Sequence, residues 1–221
     1  MMFESWIEYA LANENPAARG VRSDADLNAM LANEGKTQSA LEGVEAVNAI
    51  KEMGEVKPAS VLVPVVMHEQ PTILLTKRNQ TLNKHAGQVS FPGGRIDASD
   101  ANANAAALRE TYEEVGIAED YISLKGTLDT YYTGTGFKVT PVVGILKPGF
   151  TITKQDSEVE EVFEVPLSFI LDRGNHKRES AMWKGIRRHY YSIPYNDYYI
   201  WGATAAMLVN LVDIMEAVRG R

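Results

Sequence analysis

The sequence predicts a mixed α/β fold, a sheet of mixed strand direction held between helices. Three observations predict it. Runs rich in β-branched residues, at 61–67, 72–76, 124–132 and 138–146, alternate with stretches of helical periodicity at 101–115 and 203–218, and strands that pass through a helix and return to strands bury both sheet faces. Hydrophobic residues make up 45% of the 221-residue chain, enough for a packed core in one domain with an extension. A Gly-rich turn, Pro92-Gly93-Gly94, leads through a short loop into a helix crowded with carboxylates.

Taken in order, residues 1–56 read as a helical extension, with helices over Phe3–Leu11, Asp24–Asn33 and Gln38–Met53 separated by polar breaks. Residues 57–221 form the main domain. Val61–Met67 and Thr72–Thr76 are its first strands, and 101–115 is the acidic helix. Leu124–Tyr132 and Lys138–Leu146 follow as strands around a Gly134-Thr-Gly136 turn. Pro166–Leu171 is a short helix. Arg188–Ile193 and Asp197–Trp201 pair as a hairpin, and Ala203–Val218 is a helix with Met207, Leu208, Leu211, Ile214, Met215 and Val218 for its core face.

The acidic helix carries the chemistry. At about 100° per residue, Ala101, Ala105, Leu108, Tyr112 and Val115 fall on one side, which we expect to face the core. Glu110, Glu113 and Glu114 fall roughly opposite, at i, i+3 and i+4. Carboxylates this close repel one another unless a cation lies between them, and hard divalent ions take such oxygens and leave positions for substrate phosphates. Arg109, at the edge of the acidic face, can orient a neighbouring carboxylate through a paired hydrogen bond. Surface helices with exposed Glu are common. The preceding Phe91-Pro92-Gly93-Gly94 turn, which allows a close backbone approach, sets this one apart.

Composition excludes several classes. A net charge of −7 argues against a nucleic-acid surface, though not against a nucleotide bound through a local metal. With no cysteine, disulfides, thiolate metal sites and thiol catalysis are ruled out. The amino-terminal residues show no targeting pattern and no stretch approaches the roughly 18 apolar residues of a membrane span. A cytoplasmic protein without a membrane partner is expected.

These residues resemble a known family. Gly94, Arg109, Glu110, Thr111, Glu113, Glu114, Gly116 and Ile117 follow, in order, the Nudix box G-x5-E-x7-R-E-U-x-E-E-x-G-U, where U is a bulky apolar residue. Fourteen residues separate Gly94 from Arg109 where the general box has thirteen. The first Glu of the box is absent, with Asp97 and Asp100 nearby, and Thr111 occupies a bulky apolar position. The longer loop resembles the coenzyme A pyrophosphatase branch. So does the upstream segment: Leu74, Leu75, Thr76, Arg78, Leu82, His85, Gly87, Val89, Phe91, Pro92, Gly93 and Gly94 match L-L-T-x-R-S-x-x-L-R-x-H-x-G-x-V-x-F-P-G-G. Asn79 stands where Ser is usual and Asn83 where Arg is usual, with Lys84 beside it. Glu158 to Leu167 resembles the acidic loop and short helix of this branch, and Ile200-Trp201-Gly202-Ala203-Thr204-Ala205 resembles its carboxy-terminal run.

The resemblance implies the Nudix fold, an α/β/α sandwich with the box as loop-helix-loop. It implies hydrolysis of coenzyme A, or an acyl derivative, to 3′,5′-ADP and 4′-phosphopantetheine with Mg²⁺ or Mn²⁺. Glu110, Glu113 and Glu114 are then the metal ligands, joined by the Gly94 carbonyl, and Arg109 positions a Glu. Arg78, Lys84 and His85 are candidates for the substrate phosphates. The general base is Glu113, Glu114, or an acidic residue of the following loop such as Glu158 or Glu161. Two alternatives stay open: a related hydrolase for ADP-ribose, NADH or a dinucleoside polyphosphate, and a non-catalytic nucleotide-binding module. Packing is the preferred reading of the Tyr195, Tyr198, Tyr199, Trp201 cluster, with adenine stacking as the alternative. Lys184, Arg187 and Arg188 read as a solvated basic edge, and His68, His176 and His189 as ordinary residues. The amino-terminal helices cover the sheet, form a homodimer contact or shape the substrate pocket.

Overall fold

The computed structural model describes residues 2–13, 22–25, 56–82, 85–183 and 185–218. Its centre is the parallel pair β2 (Lys57–Val66) and β8 (Phe137–Leu146), in register over ten residues from Lys57↔Phe137 to Val66↔Leu146. Strand β3 (Thr72–Arg78) turns back against the end of β2 and runs antiparallel to β9 (Val159–Pro166). On the far side of β8 lie β6 (Ile122–Thr127) and β7 (Tyr131–Tyr132), both antiparallel to it. β1 (Arg22–Ser23) adds a parallel edge to β7. Two short strands finish the sheet: β4 (Val89–Ser90) on β3, and β5 (Gly93–Arg95) on β2.

Alternation along the strands divides the core in two. Leu62, Val66, Leu74, Val142 and Leu146 face helix α2 (Ala103–Val115) and pack with its Ala107 and Val115. Val63, Val65, Ile73, Leu75 and Val143 face the other way. There they meet α1 (Met2–Asn13), the short α3 (Leu167–Leu171) and α4 (Gly202–Ala217), whose residues from Thr204 to Val212 are all buried. The result is the expected α/β/α sandwich. Within the apolar α4, Asn210 is fully satisfied: it accepts from the Asp129 amide and donates to the Asp129 carboxylate, both at 3.0 Å, as burial of a polar group requires. A second, three-stranded antiparallel sheet of β10 (Lys177–Trp183), β11 (Ile186–Tyr195) and β12 (Tyr198–Trp201) packs Ile193 and Ile200 into the α4 side of the core.

Four expectations need correction. The buried face of α2 is Ala106, Ala107, Thr111, Glu114 and Val115, whereas Tyr112 is 62% exposed. Glu114 thus lies on the sheet side of the helix rather than opposite it. Thr111 occupies its apolar position by donating its hydroxyl to the Ala107 carbonyl at 2.7 Å. The acidic segment after Glu158 is not a loop but strand β9, its glutamates hiding an inward set of Val159, Phe163 and Val165. The strand expected over Leu124–Tyr132 is two, because Leu128–Thr130 leave the ladder. The hairpin has a third strand, β10, whose polar sequence gave no strand pattern. The first helix runs as expected. Those expected over Asp24–Asn33 and Gln38–Met53 lie outside the described residues apart from Asp24 and Ala25.

Candidate active site

The site forms where the Gly-rich turn meets α2. Asn102 caps the helix by accepting from the Ala105 amide, and Gly116 ends it in the left-handed conformation at φ 74°. Gly93 and Gly94 sit in β5, opposite Val61 and Ser60 of β2. This holds the backbone against the side chains of α2.

Arg109 organises the acidic face. Its Nε and Nη2 donate to the two oxygens of Asp100, both at 2.9 Å, in a paired bond. Its Nη1 donates to Glu110 at 2.9 Å and to Glu113 at 3.0 Å, and Nη2 also reaches the Arg95 carbonyl at 3.1 Å. Asp100 accepts from the Asp97 amide at 2.8 Å as well. The Arg109 guanidinium and this amide hold the Asp100 carboxyl down at about 2. The lengthened loop therefore delivers Asp100 to the arginine. In the sequence Asp100 stood out only as a departure from the box, since only the fold closes the loop onto Arg109.

Because Asp100 titrates below the ordinary carboxylate value near 4, its stabilisation is present above about pH 4. It is lost as pH falls through about 2. Melting temperatures of Asp100→Asn and the parent should differ at pH 6–7, with the gap closing between about pH 4 and 2. A gap that stays constant with pH would exclude this pair as a source of stability.

Glu110 lies directly over Gly94: a Cβ there would meet its carboxylate at 2.5 Å. Glu114 is 3% exposed. Its Oε2 accepts from the Gly93 amide at 3.2 Å, and its Oε1 is 3.7 Å from Nη1 of Arg78, at the end of β3. Burial outweighs both and pushes the Glu114 carboxyl up to about 8, while Glu110 is also raised, chiefly by burial. The Glu158 carboxylate adds to both shifts, so this residue of the following segment faces the same cluster.

The other predicted residues divide. Asn79 ties the loop after Arg78 to the Glu158 segment, its amide donating to the Glu158 carbonyl at 2.8 Å and its Nδ2 to the Asp156 carbonyl at 2.7 Å. His85, in a left-handed conformation at φ 57°, shares a 2.8 Å hydrogen bond between Nδ1 and Gln88. Glu161 accepts from the Tyr198 hydroxyl at 2.5 Å, and Tyr198 stacks on the core residue Phe163. That places Glu161 on the α4 face, away from the carboxylates of α2. Lys84 and Lys184 lie outside the described residues.

The donor set suits a hard divalent ion. Among the described residues no three carboxylates or imidazoles converge closely enough to hold one as they stand, and the half-exposed Glu113 is engaged by Arg109 at 3.0 Å. Yet Glu114 is a buried carboxylate with one amide and one distant guanidinium for compensation, and Glu110 and Glu158 add like charge. A divalent cation would relieve that imbalance, with Glu110 and Glu114 as the carboxylates placed to hold it.

Comparison with known proteins shows the family. The NUDIX domain model matches residues 56–183. A protein of Citrobacter koseri named as an uncharacterized Nudix hydrolase NudL is 43% identical over 155 residues, covering 70% of this chain and 81% of its own length. One of the same name from Escherichia coli is 42% identical over the same span. Among solved structures, a MutT/nudix family protein from Enterococcus faecalis aligns with 87% of this chain and 74% of its own at 16% identity and a TM-score of 0.47. No helix among the described residues is long and apolar enough to cross a membrane. With a family model spanning more than half of its length and relatives covered over four fifths of theirs, this chain belongs to the Nudix family of metal-dependent hydrolases, whose substrates are small-molecule nucleoside diphosphate derivatives.

Proposed function

We propose that the chain hydrolyses the pyrophosphate bond of coenzyme A or its acyl derivatives, giving 3′,5′-ADP and the matching 4′-phosphopantetheine. The observation that carries this reading is continuity. The segment resembling the coenzyme A branch, Leu74–Gly94, includes β3, β4 and part of β5, with its Arg78 3.7 Å from the Glu114 carboxylate.

In this reading Glu110, Glu113, Glu114 and the Gly94 carbonyl hold the ion, Mg²⁺ or Mn²⁺. When bound, it neutralises charge on the phosphoryl oxygens and lowers the pKa of water. Arg109 does no chemistry: its paired bond to Asp100 fixes the guanidinium, which in turn sets the Glu110 and Glu113 carboxylates. Arg78 binds a substrate phosphate by a charge-assisted bond. Glu158 accepts the proton of the attacking water. Its position beside Glu110 and Glu114 favours it over Glu161, which is engaged by Tyr198. Asn79 holds the Arg78 loop and the Glu158 segment together.

Product analysis by mass spectrometry tests the assignment, with coenzyme A, ADP-ribose, NADH and diadenosine polyphosphate offered separately with Mg²⁺ or Mn²⁺. Fastest release of 3′,5′-ADP from coenzyme A is expected. Faster cleavage of another substrate would move the specificity and point to Asn79 and Asn83. Binding without turnover would revive the non-catalytic reading. In the same assay Arg78→Ala should raise KM by roughly 10- to 100-fold, the worth of a hydrogen bond to a charged group, and change kcat much less. A loss confined to kcat would place Arg78 on the transition state instead.

A further inference from the structure

Of the aromatic cluster in the second sheet, Tyr195 and Tyr198 pack against the core, whereas Tyr199 and Trp201 face outward. Tyr199 is 42% exposed and Trp201 37%. With Tyr190 they line one face of β11 and β12, the ring of Trp201 lying 5.3 Å from Tyr190 and 6.3 Å from Tyr199. Exposed rings normally keep their rotamer freedom, but the Tyr199 ring is tied down through its hydroxyl. Glu179 accepts from the Tyr199 hydroxyl at 2.6 Å and from Ser192 at 2.7 Å, with Tyr190 3.4 Å away. The Trp201 ring lies against those of Tyr190 and Tyr199, on a backbone paired with Ser192 in the sheet. A rigid, exposed aromatic wall is a preorganised stacking surface.

The wall borders a cavity of about 620 Å³, within the roughly 300–1,000 Å³ of small-molecule sites. Its other sides are Lys77, Gln88, Glu161 and Asp197. The one cation among these described residues, Lys77, is already paired with Glu160 at 2.8 Å, so the cavity does not favour a phosphate. It offers ring faces and carboxylate oxygens, the complement of a flat heterocycle bearing an N–H donor. Its position fits too. Lys77 and Arg78 are consecutive at the end of β3: Lys77 lines the cavity and Arg78 lies 3.7 Å from the Glu114 carboxylate. The cavity and the carboxylate cluster thus meet at the end of one strand. In a nucleotide, base and phosphates are separated by a single ribose.

We propose that this cavity is the subsite for the purine base of the substrate. The base stacks on Trp201 and Tyr199, and its exocyclic amine donates to Glu161 or Asp197. The proposal rests on the reading of the α2 carboxylates as a pyrophosphate-cleaving centre, and it gives Glu161 a part in recognition rather than in proton transfer.

The chain has three tryptophans, Trp6, Trp183 and Trp201, so a Trp6→Phe/Trp183→Phe protein reports on Trp201 alone. Titrating it with 3′,5′-ADP in EDTA should quench emission saturably, whereas 4′-phosphopantetheine and ribose 5-phosphate should not. In the otherwise unaltered chain, Trp201→Ala and Tyr199→Ala should raise KM for coenzyme A by about 5- to 100-fold, the scale of base–aromatic stacking, with kcat nearly unchanged. Tyr199→Phe, which keeps the ring, should retain most of the affinity and guards against a folding defect in the alanine variants. Absence of quenching by 3′,5′-ADP, equal quenching by ribose 5-phosphate, or an unchanged KM in both alanine variants would overturn the base subsite. Turnover of coenzyme A by the parent is read separately. Turnover without quenching sinks only the subsite, and quenching without turnover sinks only the proposed activity.

Discussion

Glu114→Gln is expected to leave the fold intact and lower kcat by about 10²–10⁴, the worth of a metal-ligating charge at a phosphoryl centre. The side chain is 3% exposed and keeps its shape in the variant, and the remaining amide oxygen can still accept from Gly93. What disappears is a group that the metal-free protein can ionise only at a cost. With its carboxyl raised to about 8, Glu114 is protonated in the folded chain over a range where the unfolded chain ionises. The folded state then binds more protons, so stability in EDTA falls as pH rises from about 4.3 to about 8. The Gln variant lacks this term. Melting in EDTA should therefore show the parent losing more stability than the variant between pH 6 and pH 9. A variant that turns over at the parental rate would remove Glu114 from the site. Parallel pH profiles would show that the carboxylate is not strained.

The sequence reported those features that depend on local pattern. Helix α2 and the β2 and β8 strands were legible because each rests on periodicity or on a contiguous motif. What depended on the third dimension was not. The face of α2 was misassigned because apolarity was taken to mark the core side. The Gly93-Gly94 backbone leaves room for two carboxylates there, and Tyr112 goes to solvent. Strand β9 was hidden by its glutamates, and β10 by a polar sequence supported only through its pairing with β11. The paired bond between Asp100 and Arg109 spans nine residues of loop and helix, and the approach of Arg78 to Glu114 spans 36 positions. Neither spacing is a pattern that sequence periodicity detects. The packing read from the aromatic cluster holds for Tyr195 and Tyr198, and only the sheet register shows Tyr199 and Trp201 sharing an outward face.

The two glycines of the turn separate folding from chemistry. Gly93 has φ 155°, and a Cβ on it would lie 2.5 Å from the Ser60 carbonyl oxygen and the Val61 Cα. Both are backbone of the central strand β2 and cannot yield without parting β5 from the sheet. Gly93→Ala is therefore expected to cost about 3 kcal/mol or more and to lower the melting temperature by about 5–15 °C. Gly94 has no such conformational demand. The three atoms nearest its added Cβ would all belong to the Glu110 carboxylate, at 2.5–2.6 Å, the far end of a side chain that can swing aside. Gly94→Ala should then melt within a few degrees of the parent, yet lose about 10²-fold in kcat, because a displacement near 1 Å in a positioned group costs that much. Thermal melts and steady-state kinetics on the two variants decide the matter. A stable, fully active Gly94→Ala would show that the seat of Glu110 is irrelevant to turnover. A Gly93→Ala protein that melts like the parent would show that the turn need not lie against β2.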